Sequence, residues 1–162
     1  IVESLVRRGY REIVYVYDVD SFSGLAKLDG FRAGMKAAGL ECRPYSILKT
    51  DSGIAGGEKA LEQLEAANAS CRAIVSSEDI LAAGVLKALA RRGKKVPENV
   101  AVFGYNDSII ARCTSPGLSS VDNKVGALAK AAANILCWVL HGEKIPPHHT
   151  IVPELVFRQS CP

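Results

Sequence analysis

Apolar and polar positions along the chain change period in a regular cycle. Residues 2–8 repeat at a helical spacing and stop at Gly9, and Ile13 to Tyr17 then form an unbroken β-branched and aromatic run. Such a run predicts a strand buried on both faces, as strands of parallel sheets are. From about Leu25 to Ala38 the helical period returns, with Leu28, Phe31 and Met35 on one face and Gly39 as its stop. The cycle then repeats. Glu41 to Leu48 reads as a mixed strand. A loop from Lys49 to Gly53 leads into a helix to about Asn68, striped by Ala60, Leu61, Leu64 and Ala67. Ala73 to Val75 reads as a short strand, followed by a helix to Arg92 that opens at Ser76 to Asp79, with Ser77 as N-cap.

The segment from Val96 to Asp107 is the most informative. A proline stops the preceding helix, Val100 to Phe103 forms a buried strand, and Gly104 releases the chain. Asn106 and Asp107 then stand at the strand's carboxyl end. Leu118 to Val121 reads as a fifth strand. Gly126 to His141 is apolar nearly all round, through Leu128, Ile135, Leu136, Trp138 and Val139, which predicts burial on more than one side. Pro146-Pro147 predicts a turn into terminal strand pieces at Thr150 to Val152 and Leu155 to Phe157. Strands alternating with helices of this length predict an α/β fold, a three-layer α/β/α sandwich with a mostly parallel sheet and right-handed crossovers.

Composition narrows this picture only a little. A length of 162 residues, 48% hydrophobic and 23% charged, suits one globular domain with its own core. The net charge of +3 is too weak and dispersed for a nucleic-acid surface, and the one basic run, Arg91 to Lys95, reads as a solvated helix end. No apolar run approaches the roughly 18 residues of a membrane span. The five cysteines have no zinc-type spacing and are expected to be free, mostly buried thiols of a reducing cytoplasm. Ile1 opens in mid-helix, which reads as though residues precede it.

Three strand ends carry polar clusters: Asp18 to Ser23, Ser76 to Asp79, and Tyr105 to Ser108. If their strands are parallel neighbours, the clusters converge on one crevice, where open α/β sheets bind ligands. Asp79 and Asp107 suit helix capping as well as ligand contact. Catalytic motifs are missing: no G-x-S-x-G, P-loop or G-x-G-x-x-G occurs, and Gly53, Gly56 and Gly57 are too loosely spaced for a phosphate loop. His141, His148 and His149 lie far from the clusters in sequence. No catalytic residue, metal or cofactor is expected. One enzyme reading stands as an alternative. Asp18-Val-Asp20 and Ser21 resemble the nucleophile motif of haloacid-dehalogenase-like phosphohydrolases, with Asn106-Asp107 where that family holds magnesium, but a matching lysine motif is lacking.

From Gly9 onward the chain resembles the effector-binding domain of LacI/GalR-family transcription regulators, which has the periplasmic-binding-protein-like fold. Arg8-Gly9-Tyr10-Arg11-Glu12-Ile13 resembles the family's GH-x-x-I, and Lys27-Leu-Asp-Gly-Phe31 its R-x-x-G-[FY]. Glu78-Asp79 with Ala82, Gly84 and Ala88-Leu89 resembles ND-x-x-A-x-G-x-x-x-AL. Val96 to Asp107 resembles VP-x-D-[IV]-x-[VI]-x-G-[FY]-D-[DN], Pro116 to Val121 resembles P-x-LTT[VI], and Pro153 to Ser160 resembles P-x-LV-x-R-x-S.

The resemblance implies a two-lobed domain with a small-molecule effector in the cleft. Residues 10–121 would be mainly the C-terminal lobe. Segments 1–9 and 122–162 would cross to an N-terminal lobe lying upstream, together with a helix-turn-helix for operator DNA. It further implies a cytoplasmic, non-enzymatic homodimer, with Val85, Leu86, Leu89, Ile109 and Ile110 suited equally to the two-fold contact or to the domain's own core. The family's ligand contacts map onto Ser23, Lys27, Ser52, Glu78, Asp79, Asn106 and Asn123. Lys27 replaces a common arginine and loses its planar fork, Ser52 stands at a usual aromatic position, Glu78 replaces asparagine and Asn106 an aspartate. These departures imply a smaller or more polar ligand than a typical hexose. A solute-binding protein of an ABC transporter shares the fold and is the alternative, against which the unpaired cysteines argue.

Overall fold

A computed structural model of the chain describes residues 1–145 and 148–162. The elements run α1 (Val2–Arg7), β1 (Ile13–Tyr17), α2 (Phe22–Ala37), β2 (Ile47–Lys49), α3 (Gly53–Ala66), β3 (Ala73–Ser76) and α4 (Asp79–Arg91). They continue with β4 (Ala101–Phe103), α5 (Ile109–Cys113), β5 (Ser120–Asp122), α6 (Val125–Leu140) and β6 (Glu154–Val156). The first four strands form a parallel sheet in the order β2-β1-β3-β4. A single parallel bridge from Phe103 to Ser119 carries the chain of β5 along the outer edge of β4, and β5 then pairs antiparallel with β6.

Alternation along the strands builds a core on each face. Ile13, Tyr15, Ala73, Val75, Ala101 and Phe103 point to the side covered by α1 and α2, where Leu28, Phe31 and Met35 meet them. Val14, Val16, Ile74 and Val102 point to the side covered by α3 and α4. Those two helices pack tightly because glycines remove the side chains between them. A Cβ on Gly57 would lie 2.1 Å from the Leu81 carbonyl oxygen, and one on Gly84 2.1 Å from that of Ile54.

Several expectations change here. The helix over α2 starts three residues early, at Phe22, because Ser21 Oγ caps it by accepting from the Gly24 amide at 3.1 Å. The mixed strand at 41–48 shrinks to Ile47–Lys49, since β2 is the sheet edge and its neighbours supply only one partner. No strand forms at Thr150 to Val152, and the expected Pro146-Pro147 turn lies outside the described residues. The short helix α5 was not legible in the periodicity. Cysteines are free but not mostly buried: Cys42, Cys113 and Cys137 are exposed.

Two findings concern surfaces. Val85, Leu86 and Leu89 fill the domain's own core, leaving Ile109, 72% exposed, as the apolar residue of that set on the surface. The helix α6, expected to be buried on more than one side, has no buried residue at all. Its composition is that of an interior helix, yet it lies mostly exposed, with His149 and Ile151 beside the shallow groove along Ala131, Ile135 and Trp138. Helix α1, assigned by the resemblance to a crossing segment, seats Val2 and Leu5 in the core beside α2.

Candidate functional site

All four sheet strands are parallel, so their carboxyl ends open on one edge. Register brings Tyr17 level with Lys49, Val16 with Ser76, and Val75 with Phe103. From β1 the chain turns outward to β2, and from β3 it turns the other way to β4, which leaves a crevice at the switch point between them.

Lys27 sits over that crevice, one turn into α2. Its Nζ donates to the Ser77 carbonyl at 3.0 Å and lies 4.1 Å from the centroid of the Tyr105 ring. Burial of the amine lowers its pKa, while the negative charges of Glu78 and Asp18 oppose that shift. One lysine of α2 thus ties the ends of β3 and β4 together. The Ser77 hydroxyl leans toward Asp18 Oδ1 at 3.4 Å instead of capping α4, whose N-cap is Glu78. The half-buried Glu78 has no side-chain capping bond, so its carboxylate stays available to the crevice.

Asp79 is turned inward. One carboxylate oxygen accepts from the Ser108 amide at 2.7 Å and its hydroxyl at 2.8 Å, and the other from Ser120 Oγ at 2.6 Å. It brackets the loop after β4 to β5. Gly104 is needed for this: a Cβ there would fall 2.3 Å from Asp79 Oδ1. Released past that glycine, Asn106 and Asp107 both adopt left-handed backbone, with φ of 106° and 45°. The conformation is costly outside glycine and is held by its surroundings. The Asn106 amide donates to the Val121 carbonyl at 3.0 Å, and its side-chain oxygen accepts from Asn123 Nδ2 at 2.9 Å. The buried Asp107 carboxylate is paired with Arg158 at 2.6 Å and Arg112 at 3.2 Å. That pairing fills the place a magnesium ligand would need in the phosphohydrolase reading.

Of the seven residues singled out by sequence, Lys27, Glu78, Asn106 and Asn123 gather around the crevice. Ser23 joins them on the wall of an adjoining groove of about 610 Å³. Ser52 stands apart at the N-cap of α3, exposed at the sheet edge, and Asp79 serves the framework. Tyr105 belongs to a cluster singled out by sequence, whereas sequence reasoning gave no individual role to Tyr15 or Phe22. Phe22 carried a signal, as the one aromatic side chain within the polar loop from Asp18 to Ser23. Gly56 and Gly57, weighed as a phosphate loop, are buried at the α3–α4 contact.

Comparison with known proteins agrees with this architecture. The periplasmic binding protein-like domain family matches residues 2–161. An HTH-type transcriptional regulator of Lachnoclostridium phytofermentans is 33% identical over 98% of this chain and 48% of its own length. The regulator AscG of Escherichia coli is 32% identical over the same shares. Its crystal structure superposes with a TM-score of 0.90 at 32% identity, covering 98% of this chain and 58% of that one. A CelR–cellobiose complex superposes with a TM-score of 0.87 at 28% identity, covering 98% and 49%. The chain therefore spans about half the length of the curated relatives it matches. The parallel lobe, the strand-end crevice and these matches agree: the chain belongs to the periplasmic binding protein-like domain family, in the form carried by LacI-family transcriptional regulators.

Proposed function

We propose that this chain senses a small polar effector, a sugar or related metabolite, for a LacI-family DNA-binding regulator. The observation that carries the reading is the convergence of Lys27, Glu78, Asn106 and Asn123 at one parallel-sheet edge, where a neutral polyhydroxyl ligand meets both donors and acceptors. The relative CelR, solved with cellobiose, supports the ligand class. Residues 10–121 supply most of this face, with Asn123 just beyond them and α1 and Cys161 seated in the same core. The uncovered helix α6 is the crossing segment, resting on a second lobe, and ligand closes the two lobes and shifts the population that holds operator DNA. The regulator works as a cytoplasmic homodimer, with Ile109 at the two-fold contact. No helix among the described residues is long and apolar enough to cross a membrane.

Calorimetric titration of the protein with a panel of mono- and disaccharides, paired with operator mobility shifts, tests this. Saturable binding that changes operator affinity, weakened at least tenfold by Lys27→Ala and by Asn106→Ala, is the expected result. Absence of binding across the panel overturns the reading.

A further inference from the structure

Asn106, the crevice residue of the loop after β4, sits on a backbone that needs an outside hold. It and Asp107 are consecutive left-handed residues, and neither is a glycine. Such a pair persists only where its surroundings over-determine it. The Asn106 amide donates to the Val121 carbonyl at 3.0 Å, and the Asp107 amide to Ser120 Oγ at 3.0 Å. Both acceptors lie on β5, and β5 is paired with β6 just before Arg158.

The remaining hold is ionic and comes from the tail of the chain. The Asp107 carboxylate, 6% exposed, lies 2.6 Å from Arg158 Nη2 and 3.2 Å from Arg112 Nη2. The two arginines are not equivalent. Arg112 is 64% exposed and reaches the carboxylate from the solvent side. Arg158 is only 20% exposed; its Nη1 donates to the Leu118 carbonyl at 2.7 Å, and its amide donates to Ser119 Oγ at 2.8 Å. Its guanidinium therefore spans two segments at once, the loop after β4 and the stretch entering β5. A buried ion pair adds little net stability, because desolvation offsets the attraction. What a planar fork supplies is direction: it fixes where its two partners lie.

We propose that Arg158 is a positioning residue for the effector. Its fork holds Asp107 against the Leu118 segment and so sets Asn106 at the crevice, where its side chain meets Asn123 at 2.9 Å. Arg158 acts through Asp107 and not by touching the effector. A lysine in its place carries the same charge without the fork, so the role depends on more than charge. This rests on the sensing function proposed above and adds to it a residue from the far end of the chain.

Two variants separate the fork from the charge. Arg158→Lys keeps a cation beside Asp107 but cannot reach Asp107 and the Leu118 carbonyl together, whereas Arg158→Met removes both. Each is compared with the unaltered protein by hydrogen exchange without ligand, by thermal midpoint, and by calorimetric titration with glucose and cellobiose. In Arg158→Lys the amides of Asn106 and Asp107 are expected to exchange about tenfold faster while those of β1 and β3 keep their rates. The thermal midpoint holds, and sugar affinity falls severalfold. Arg158→Met shows the same local change with a lower midpoint, since it strands the buried carboxylate. Unchanged exchange at Asn106 and Asp107, or unchanged sugar affinity, in Arg158→Lys overturns the positioning role alone. So does faster exchange throughout the sheet with a lower midpoint in both variants, the mark of a merely structural pair. Failure of the unaltered protein to bind either sugar, or any other saccharide of the wider panel, overturns the sensing reading and this role together.

Discussion

Gly57 of α3 and Gly84 of α4 meet backbone to backbone: a Cβ added to Gly57 would lie 2.8 Å from the Gly84 Cα. The atoms in the way belong to main chain, which has no rotamer to change. Gly57→Ala and Gly84→Ala are each expected to destabilise the fold by roughly 1–3 kcal/mol, despite alanine's better helix propensity. Urea unfolding, read as a lower midpoint at unchanged slope, measures this. Gly30→Ala, at a helix position where an added Cβ meets nothing, gives no loss and serves as the control.

Asp79 looks like a ligand residue in sequence and behaves as a bracket in the structure. Asp79→Ala strands the Ser108 amide and two hydroxyls, and is expected to cost roughly 3 kcal/mol. Asp79→Asn, which keeps one acceptor, costs less. Hydrogen exchange of the loop after β4 reports the change directly: the Ser108 amide exchanges faster in both variants.

Lys27 predicts a pH dependence with a definite sign. Its folded pKa lies below the ordinary 10.5 because burial disfavours the charged amine. Below the folded value both states are charged and the fold carries the full desolvation cost. Between that value and 10.5 the unfolded chain binds the proton and the folded chain does not, so stability rises with pH across this window. The difference in thermal midpoint between the protein and Lys27→Met, followed from pH 7 to 10, is expected to show this rise. The comparison cancels the opposing loss from Cys71 and Cys161, whose thiols stay protonated in the fold while those of the unfolded chain ionise. A side-chain amine titration by nuclear magnetic resonance finds a midpoint below that of the exposed lysines.

The thiols divide into two classes. Burial pushes Cys71 up to about 12 and also raises Cys161, so neither supplies thiolate near neutral pH. Cys42, Cys113 and Cys137 are open to solvent. Iodoacetamide at pH 8 is expected to label these three in the native protein, and to reach Cys71 and Cys161 only after unfolding. Mass spectrometry of a time course checks the order.

The cyclic hydrophobic pattern was enough to read β1, β3, β4 and their helices, because each of those strands is buried on both faces. It failed where burial is one-sided or absent. The edge strand β2 is short and half-covered, and α5 is too brief to establish a period. Helix α6 carries an interior pattern without an interior to occupy. At the site, Glu78 and Asn106 were legible because they stand where a strand ends, while Lys27, one turn inside α2, was reached only through the family resemblance. The inward turn of Asp79 was not, since it depends on Ser108 and on Ser120, 41 residues away. Tyr15 read as core, and only its orphaned hydroxyl distinguishes it.

The tail of the chain has a consequence for how the lobe is made. Ser160 Oγ donates to the Val102 carbonyl at 2.6 Å and accepts from the Ser119 amide at 2.8 Å, and Cys161 joins the core that holds Val2 and Leu5. Arg8 Nε reaches the Pro162 carbonyl at 2.9 Å, a contact spanning 154 positions. On the ribosome, the outer edge of β4 therefore waits unsealed until residue 161 has emerged. Sealing that edge is a high-contact-order step, since it joins residues 158–162 to β4 and to Arg8 across most of the lobe's sequence.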